Sequence, residues 1–441
     1  MIISRPVSGV IRTRRNIVQA ILLGLFFISP WIVMPSGTRF IQLDIPARRF
    51  HFLGSFYIPQ EGIILFLMLL TLGLSLFFFT SLIGRVWCGW ACPQTIYIDV
   101  FDFFGRLVLG KKYGKQDAPK AGVFAVHLVW ILVSLFASFH WVAYFAGSYE
   151  MFDDITKLNF ADKSYPYILG FFTIAMYLDM GYVREQFCKY ACPYARFQTI
   201  LMDEHSYNIT YDYKRGEPRR NKKEKIGDCV SCNMCLVVCP TGIDIREGMQ
   251  IGCIACGKCA DACTIVMAKE NKPTLIDYFS LNQIAEGEKK IKWIRPRTLI
   301  YGSLLLIVVS SALFKLGTRI PLSVKTVADP TIEPSFIDQK TLRQLYKVKL
   351  YNISYSTQNL KISAFTVDGN RELTVRTGNT ENIYSINSGE VIDERIILEL
   401  DVTEQEKSYK SVPIVLHVTE TNNPSIHVER KIPLSIPLFK N

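Results

Sequence analysis

The sequence predicts a multi-domain fold: a five-span α-helical membrane domain, a compact cysteine-rich module on one membrane face, and a C-terminal immunoglobulin-like β-sandwich. Three observations carry that prediction. Five apolar stretches each approach the roughly 20 residues that a spanning helix needs. Eight cysteines fall between Cys229 and Cys263. Beyond residue 318 the chain switches to short alternating segments rich in Val, Ile and Thr. The 441 residues leave room for two or three domains, and 49% hydrophobic beside 20% charged residues favours a membrane class over a soluble one. A formal charge of +11 would suit nucleic acid, but the basic residues sort by membrane side instead, so no nucleic-acid partner is expected.

The apolar stretches lie near 17–34, 61–84, 121–145, 165–182 and 298–316. The fourth is the weakest, because Asp179 near its end is costly in lipid unless it reaches the interface. Lys and Arg number four before the first stretch, six between the second and third, and nineteen between the fourth and fifth, against three and two in the other loops. Such an excess marks the cytoplasmic side. The N-terminus is therefore expected inside and everything beyond about residue 318 outside. The RTRRN run before the first stretch invites a signal-peptide reading. No A-x-A-like site follows it, however, so an uncleaved anchor is expected.

All twelve cysteines lie between Cys88 and Cys263, in segments assigned to the cytoplasm or its membrane face, where thiols stay reduced. Cys229, Cys232, Cys235 and Cys239 with Pro240 spell C-x2-C-x2-C-x3-C-P; Cys253, Cys256, Cys259 and Cys263 repeat the spacing with Thr264 in the proline place. At this spacing three thiolates converge on one 4Fe-4S cubane and the fourth reaches the other. The expected sets are Cys229, Cys232, Cys235 and Cys263 for one centre, and Cys253, Cys256, Cys259 and Cys239 for the second. Zinc favours separated ligand pairs, and disulfides do not suit this compartment. Two adjacent 4Fe-4S clusters form a relay for single electrons. The polar, basic approach to this ferredoxin-like module reads as a solvated linker near anionic lipid or a dock for an acidic electron donor.

The other four cysteines form a second repeat: Cys88, Cys92 and Pro93, then Cys188, Cys192 and Pro193, each C-x3-C-P just after an even-numbered span. On a helix, positions i and i+4 share one side, so two such pairs gather four soft sulfurs at the cytoplasmic surface. Thiolates there suit Cu(I), zinc or iron–sulfur, or cycle as dithiol and disulfide. His127 and His140, thirteen residues apart on one helix, cannot clasp one haem. Met234, Met249 and Met267 are expected to pack rather than to bind copper.

The expected domains are 1–200, membrane domain with spans one to four and both C-x3-C-P motifs; 201–225, basic linker; 226–275, ferredoxin-like; 276–317, connector and fifth span; and 318–441, sandwich. The tail segments YKVKLYNISYS, LKISAFTV, RELTVRT, RIILELDVT, SVPIVLHVT and HVERKIPLSI alternate apolar with polar between Asn, Gly and Pro turns. About seven short strands suggest an immunoglobulin-like sandwich, without the cysteine pair and tryptophan of antibody domains. Its expected work is contact with an external partner.

This order of spans, paired C-x3-C-P motifs, ferredoxin motifs and terminal sandwich resembles the CcoG family, also called RdxA or FixG, of cbb(3)-type cytochrome c oxidase accessory proteins, over nearly the whole chain. The resemblance implies a bacterial inner-membrane cupric reductase, with a periplasmic C-terminal domain, supplying Cu(I) to the oxidase. Its partners would be oxidase subunits or copper chaperones and an unknown electron donor. Cys88, Cys92, Cys188 and Cys192 match the family's membrane motifs and are the expected catalytic and copper ligands; Thr264 departs from the pattern. Two other readings stay open: a NapH-like quinol dehydrogenase, which shares both cysteine motifs, and a non-catalytic oxidase assembly scaffold.

Overall fold

The structure is a computed structural model that describes residues 4–437, except 36, 47, 54, 59–60, 162, 221–226, 288–291, 339, 355, 368–370, 380 and 407–408. The basic run closing the expected 201–225 linker lies outside the described residues. In chain order the elements are α1 (Val10–Ile28), β1 (Ile41–Asp44), β2 (Arg49–Phe52), β3 (Ser55–Tyr57), α2 (Gly62–Ile83), α3 (Val86–Trp90), α4 (Pro93–Leu109), α5 (Lys120–Ala146), α6 (Ser148–Thr156) and α7 (Tyr165–Leu178). There follow α8 (Pro193–Leu201), β4 (Asn208–Tyr211), α9 (Tyr213–Gly216), α10 (Met234–Val237), α11 (Lys258–Lys269), β5 (Ile276–Phe279), α12 (Leu281–Glu286) and α13 (Pro296–Gly317). The remainder is all strand: β6 (Leu322–Ala328), β7 (Ser335–Phe336), β8 (Thr341–Asn352), β9 (Gln358–Thr366), β10 (Thr374–Arg376), β11 (Ile383–Ile386), β12 (Val391–Asp401), β13 (Ser411–Glu420) and β14 (His427–Ser435). The chain forms two compact units, Met1–Ile32 with Arg39–Arg48 and Ile63–Leu313, and Val33–Thr38 with Arg49–Gly62 and Phe314–Asn441.

Among the described residues three helices, α2, α5 and α13, are long and apolar enough to cross a membrane. The first and fourth expected spans differ for physical reasons. Helix α1 carries Arg12, Arg14 and Arg15 in its first turns. Helix α7 has 14 residues, about 21 Å at 1.5 Å per residue against a hydrocarbon core of about 30 Å. It continues as a π-helical turn, Asp179–Val183. Helix α5 packs along α7 and α4, burying Phe101, Trp130 and Met180 at their junction. Near the end of α1, the Tyr144 hydroxyl donates to the Phe26 carbonyl at 2.8 Å, and Trp31 packs on Phe139 and Tyr149.

The cysteine-rich module is tied off by a two-stranded antiparallel ladder in which Asn208 pairs with Phe279 and Tyr211 with Ile276. All eight clustered cysteines lie between those strands. Ile209, Ile243, Ile245, Met267 and Leu275 form its apolar core.

The second unit contains two facing antiparallel sheets, in the orders β10-β12-β8-β6, with β7 also on β8, and β11-β9-β13-β14. Alternation along the strands turns Leu342, Val348 and Leu350 from one sheet and Ile414, Leu416 and Val418 from the other into one core, each at most 2% exposed. The unit is thus a β-sandwich. Five of the expected tail segments became β8, β9, β12, β13 and β14, while RELTVRT shortened to β10 and the strands β6, β7 and β11 were not expected.

Candidate functional site

The two cysteine motifs fold as a structural repeat. Each first turn needs two left-handed residues, Ser231 (φ 57°) and Asn233 (φ 56°) in one copy, Ala255 (φ 51°) and Gly257 (φ 74°) in the other, at matching offsets from Cys229 and Cys253. Asn and Gly suit that conformation, while the Ser and Ala have to be held there by their surroundings. A short helix then starts at Met234 and at Lys258, so the chain wraps three cysteines around a point and carries the fourth away.

The result is two cavities. One is lined by Cys229, Cys232, Cys235 and Cys263, with Arg246 on its wall. The other is lined by Cys239, Cys253, Cys256 and Cys259, with Cys235 and Lys258 alongside. The structure thus brings together the two interleaved quartets expected from spacing. Burial raises the Cys235 thiol to about 11 and Cys253 to about 12, and pushes Cys259 well above its ordinary value. Protonated thiols in apolar walls exchange protons for a soft metal. A donor set of four sulfurs and no carboxylate, with a basic residue on each wall, fits an anionic 4Fe-4S cluster.

The membrane C-x3-C-P motifs correct one expectation. Neither pair rides a continuous helix. Cys88 lies in α3, but Cys92 is extended (φ −66°, ψ 127°) before Pro93 opens α4. Cys188 lies in a π-helical turn, Phe187–Ala191, and Cys192 is likewise extended (φ −69°, ψ 111°) before Pro193 opens α8. The cause is the proline, which disfavours the helical region for the residue before it and suits the first helical position. Matching hydrogen bonds from the Cys92 and Cys192 amides to Trp87 and Phe187 carbonyls, both 2.9 Å, make the two motifs copies of each other.

These motifs meet the second cysteine quartet. Cys88, Ile254 and Cys256 pack as one buried cluster, with the half-buried Cys188 against it. Cys88 is held by the Gln198 side-chain oxygen at 2.8 Å. Burial raises Cys88 to about 11 and Cys188 to about 12, each also feeling the neighbouring thiols, while Arg85 opposes the rise. Arg85 is 1% exposed and donates to the Ile251 carbonyl, but its Nε and Nη2 have no partner among the described residues. Orphaned, buried donors beside the Cys253 loop suit an anionic sulfur centre.

Several supporting residues had no sequence signal. A Cβ on Gly89 would stand 2.6 Å from the Ile254 carbonyl oxygen and 2.8 Å from Ala255; only glycine lets α3 lie on that loop. Tyr278 bridges the same interface, accepting from Trp90 at 2.7 Å and donating to the Ala255 carbonyl at 2.8 Å. Buried Asp99 gathers Arg12, Arg15, Gln19 and Lys258. Asp261 caps α1 from another segment, accepting the Ile11 and Arg12 amides at 3.1 and 2.7 Å. Each is a single residue whose partner lies well away in sequence. Of the two histidines on α5, His140 is bonded to the Phe136 carbonyl one turn away and His127 to the Tyr177 hydroxyl on α7.

Membrane-spanning helices joined to two cysteine cavities of this kind define a membrane iron–sulfur electron-transfer protein. Residues 183–281 match the family described as 4Fe-4S dicluster domain, and residues 64–114, which hold Cys88 and Cys92, match 4Fe-4S binding domain. The chain is 31% identical to the nitrogen fixation protein FixG of Rhizobium meliloti, covering 85% of this chain and 80% of that one. It is 33% identical to protein RdxA of Cereibacter sphaeroides (84% and 83% covered) and 32% identical to protein RdxB of the same organism (89% and 87%). The chain belongs to the FixG/RdxA family.

Proposed function

We propose that this protein is a cupric reductase of the bacterial inner membrane that converts Cu(II) to Cu(I) for the copper site of a cbb(3)-type cytochrome c oxidase. The observation that carries the reading is the buried cluster of Cys88, Ile254 and Cys256 with Cys188 packed against it, which sets two membrane thiols against the second cysteine loop. Cys229, Cys232, Cys235 and Cys263 hold one 4Fe-4S cluster; Cys239, Cys253, Cys256 and Cys259 hold the other. When bound, the clusters supply electrons one at a time, and Cu(II) needs one to become Cu(I). The half-buried Cys92, Cys188 and Cys192 and the buried Cys88 supply the soft sulfur that favours Cu(I), and these thiols lose their protons as copper binds. Arg85 offsets the negative charge gathered there.

The five-span topology is part of this reading, with the clusters cytoplasmic and the sandwich periplasmic, where it meets oxidase subunits or a copper chaperone. Contacts support the two shorter crossings. The start of α1 is tied to Asp261 of the cysteine module, while its other end packs on Trp141 and Tyr144, near the far end of α5. Likewise Cys188 packs on Cys88 although α5 has carried the chain away in between, so the 165–183 segment must bring it back. Reporters fused at residue 215 and residue 400 are expected on opposite sides of the membrane. The same side for both would sink the topology.

The test of function is replacement of each pair, Cys88 with Cys92 and Cys188 with Cys192, by serine. Copper binding and Cu(II) reduction by dithionite-reduced protein should fall, while both iron–sulfur signals persist. Unchanged copper binding and turnover in both double variants would remove the site.

A further inference from the structure

Beside the membrane thiols lies a cavity of ≈ 470 Å³ walled by α1, the start of α4, α5 and α7. Its lining is mostly apolar, and Ala91 and Pro93, the residues flanking Cys92, form part of it. The polar portion is confined to a few side chains, among them Gln94, Ser138 and Asp179. Trp141 on the spanning helix α5 also lines it and is 46% exposed, leaving a side open to lipid.

Asp179 is the informative residue. It opens the π-helical turn that ends α7, and such widened turns recur at functional sites. Its Oδ1 accepts from the Gln94 amide at 3.0 Å, and the same amide donates to the Arg184 carbonyl at 3.2 Å. Among the described residues no cation pairs with Asp179, whereas Asp99 and Asp102 nearby are both salt-bridged. A carboxylate at the end of α7 without a cation, on the wall of a mostly apolar cavity of ligand size, calls for a ligand that exchanges protons. The ligand must be apolar enough to arrive through lipid, must carry a polar head, and adjoins a redox thiol motif.

We infer that this cavity binds the head group of a membrane quinol, which donates the electrons for copper reduction, and that Asp179 accepts a proton from it. The inference rests on the electron relay of the proposed function. The balance is complete: quinol loses two electrons and two protons to become quinone. One electron goes to each of the two 4Fe-4S centres, one proton goes to the Asp179 carboxylate, and the other goes to water. Gln94 orients Asp179 by holding Oδ1 and leaving Oδ2 toward the proton.

The experiment uses the full-length protein in phosphatidylcholine nanodiscs with an azido-substituted short-chain ubiquinone as photoprobe and decylubiquinol as reductant. Label is expected on peptides containing Trp141 or Met176, displaced by excess decylubiquinone and reduced to background in Ala175→Phe and Ala137→Phe, which fill the cavity. Cluster absorbance of each variant reports whether it has folded. Asp179→Asn should keep the label but slow bleaching of the iron–sulfur absorbance by decylubiquinol roughly 100-fold, with dithionite bleaching unchanged. Label that is spread along all spans, insensitive to competitor, or undiminished in both folded filling variants would mean partition into lipid only and would overturn the site. Unchanged quinol bleaching in Asp179→Asn would overturn the proton role. Protein that quinol bleaches but that does not then reduce Cu(II), even with dithionite, would leave this site standing and remove the copper reading instead.

Discussion

Gly89→Ala isolates the contact between the membrane motif and the cysteine module. The added methyl would stand 2.6 Å from the Ile254 oxygen and 2.8 Å from the Ala255 carbonyl carbon and oxygen. These are backbone atoms that cannot rotate aside. Restoring ordinary van der Waals contact needs a separation of about 0.8 Å between α3 and the loop carrying Cys253 and Cys256, and overpacking of this size costs about 1–3 kcal/mol. The displacement also loosens Tyr278, whose bonds to Trp90 and Ala255 span the same gap. Gly73→Ala is the matched control: it lies in α2 with nothing within 4 Å of its Cβ, and helix propensity makes the exchange neutral or favourable by up to about 1 kcal/mol. Thermal unfolding of purified protein, followed by loss of cluster absorbance, together with Cu(II) reduction by dithionite-reduced protein, reads both effects. Gly89→Ala should lower the midpoint and slow reduction; Gly73→Ala should do neither. Equal midpoints and rates for both variants would refute the close approach and the coupling drawn from it.

Asp99→Asn leaves Arg15 and Lys258 buried without their carboxylate, a loss of about 3–5 kcal/mol that should appear as a sharply reduced yield of folded protein in detergent. Cys232→Ser and Cys256→Ser should each remove a different cluster, seen as about half the iron content and loss of one of two paramagnetic signals; full iron in both would contradict the quartets. In the sandwich, the Arg371 hydrogen bond, aided by the Thr403 amide, holds the Glu406 carboxyl at about 2. Because this folded value lies below the ordinary 4.5, its stabilisation is full above that value and is lost as pH falls toward 2. Glu406→Gln should lower the unfolding temperature at pH 7 and flatten its dependence between pH 4.5 and 2.

Much of the cysteine chemistry was legible because it is local. The x2 spacing constrains three thiols within one turn, and the repeat of left-handed positions at Ser231 and Asn233, then Ala255 and Gly257, follows from the same geometry. Strands β8, β12 and β13 were legible for a similar reason, since period-two alternation needs only neighbours to be seen. The continuous helix expected through each C-x3-C-P pair is broken because the second cysteine immediately precedes a proline, which turns it extended. Strands β6, β7 and β11 passed unseen because they are short or contain too few alternations.

The sequence by itself determined which cysteines recur at cluster-ligand spacing, which stretches are apolar and where most of the strands fall. These properties depend on side chains a few residues apart, where local sterics and solvation act alone. Only the tertiary structure decided that Cys88 and Cys188 lie against Cys256, that Gly89 must be bare, that Asp99 collects three cations, and that Asp179 faces a cavity without one. Such pairings join residues tens to hundreds of positions apart in the chain. No local period encodes them, because the free energy that selects them arises from burial, and burial exists only once the helices have packed.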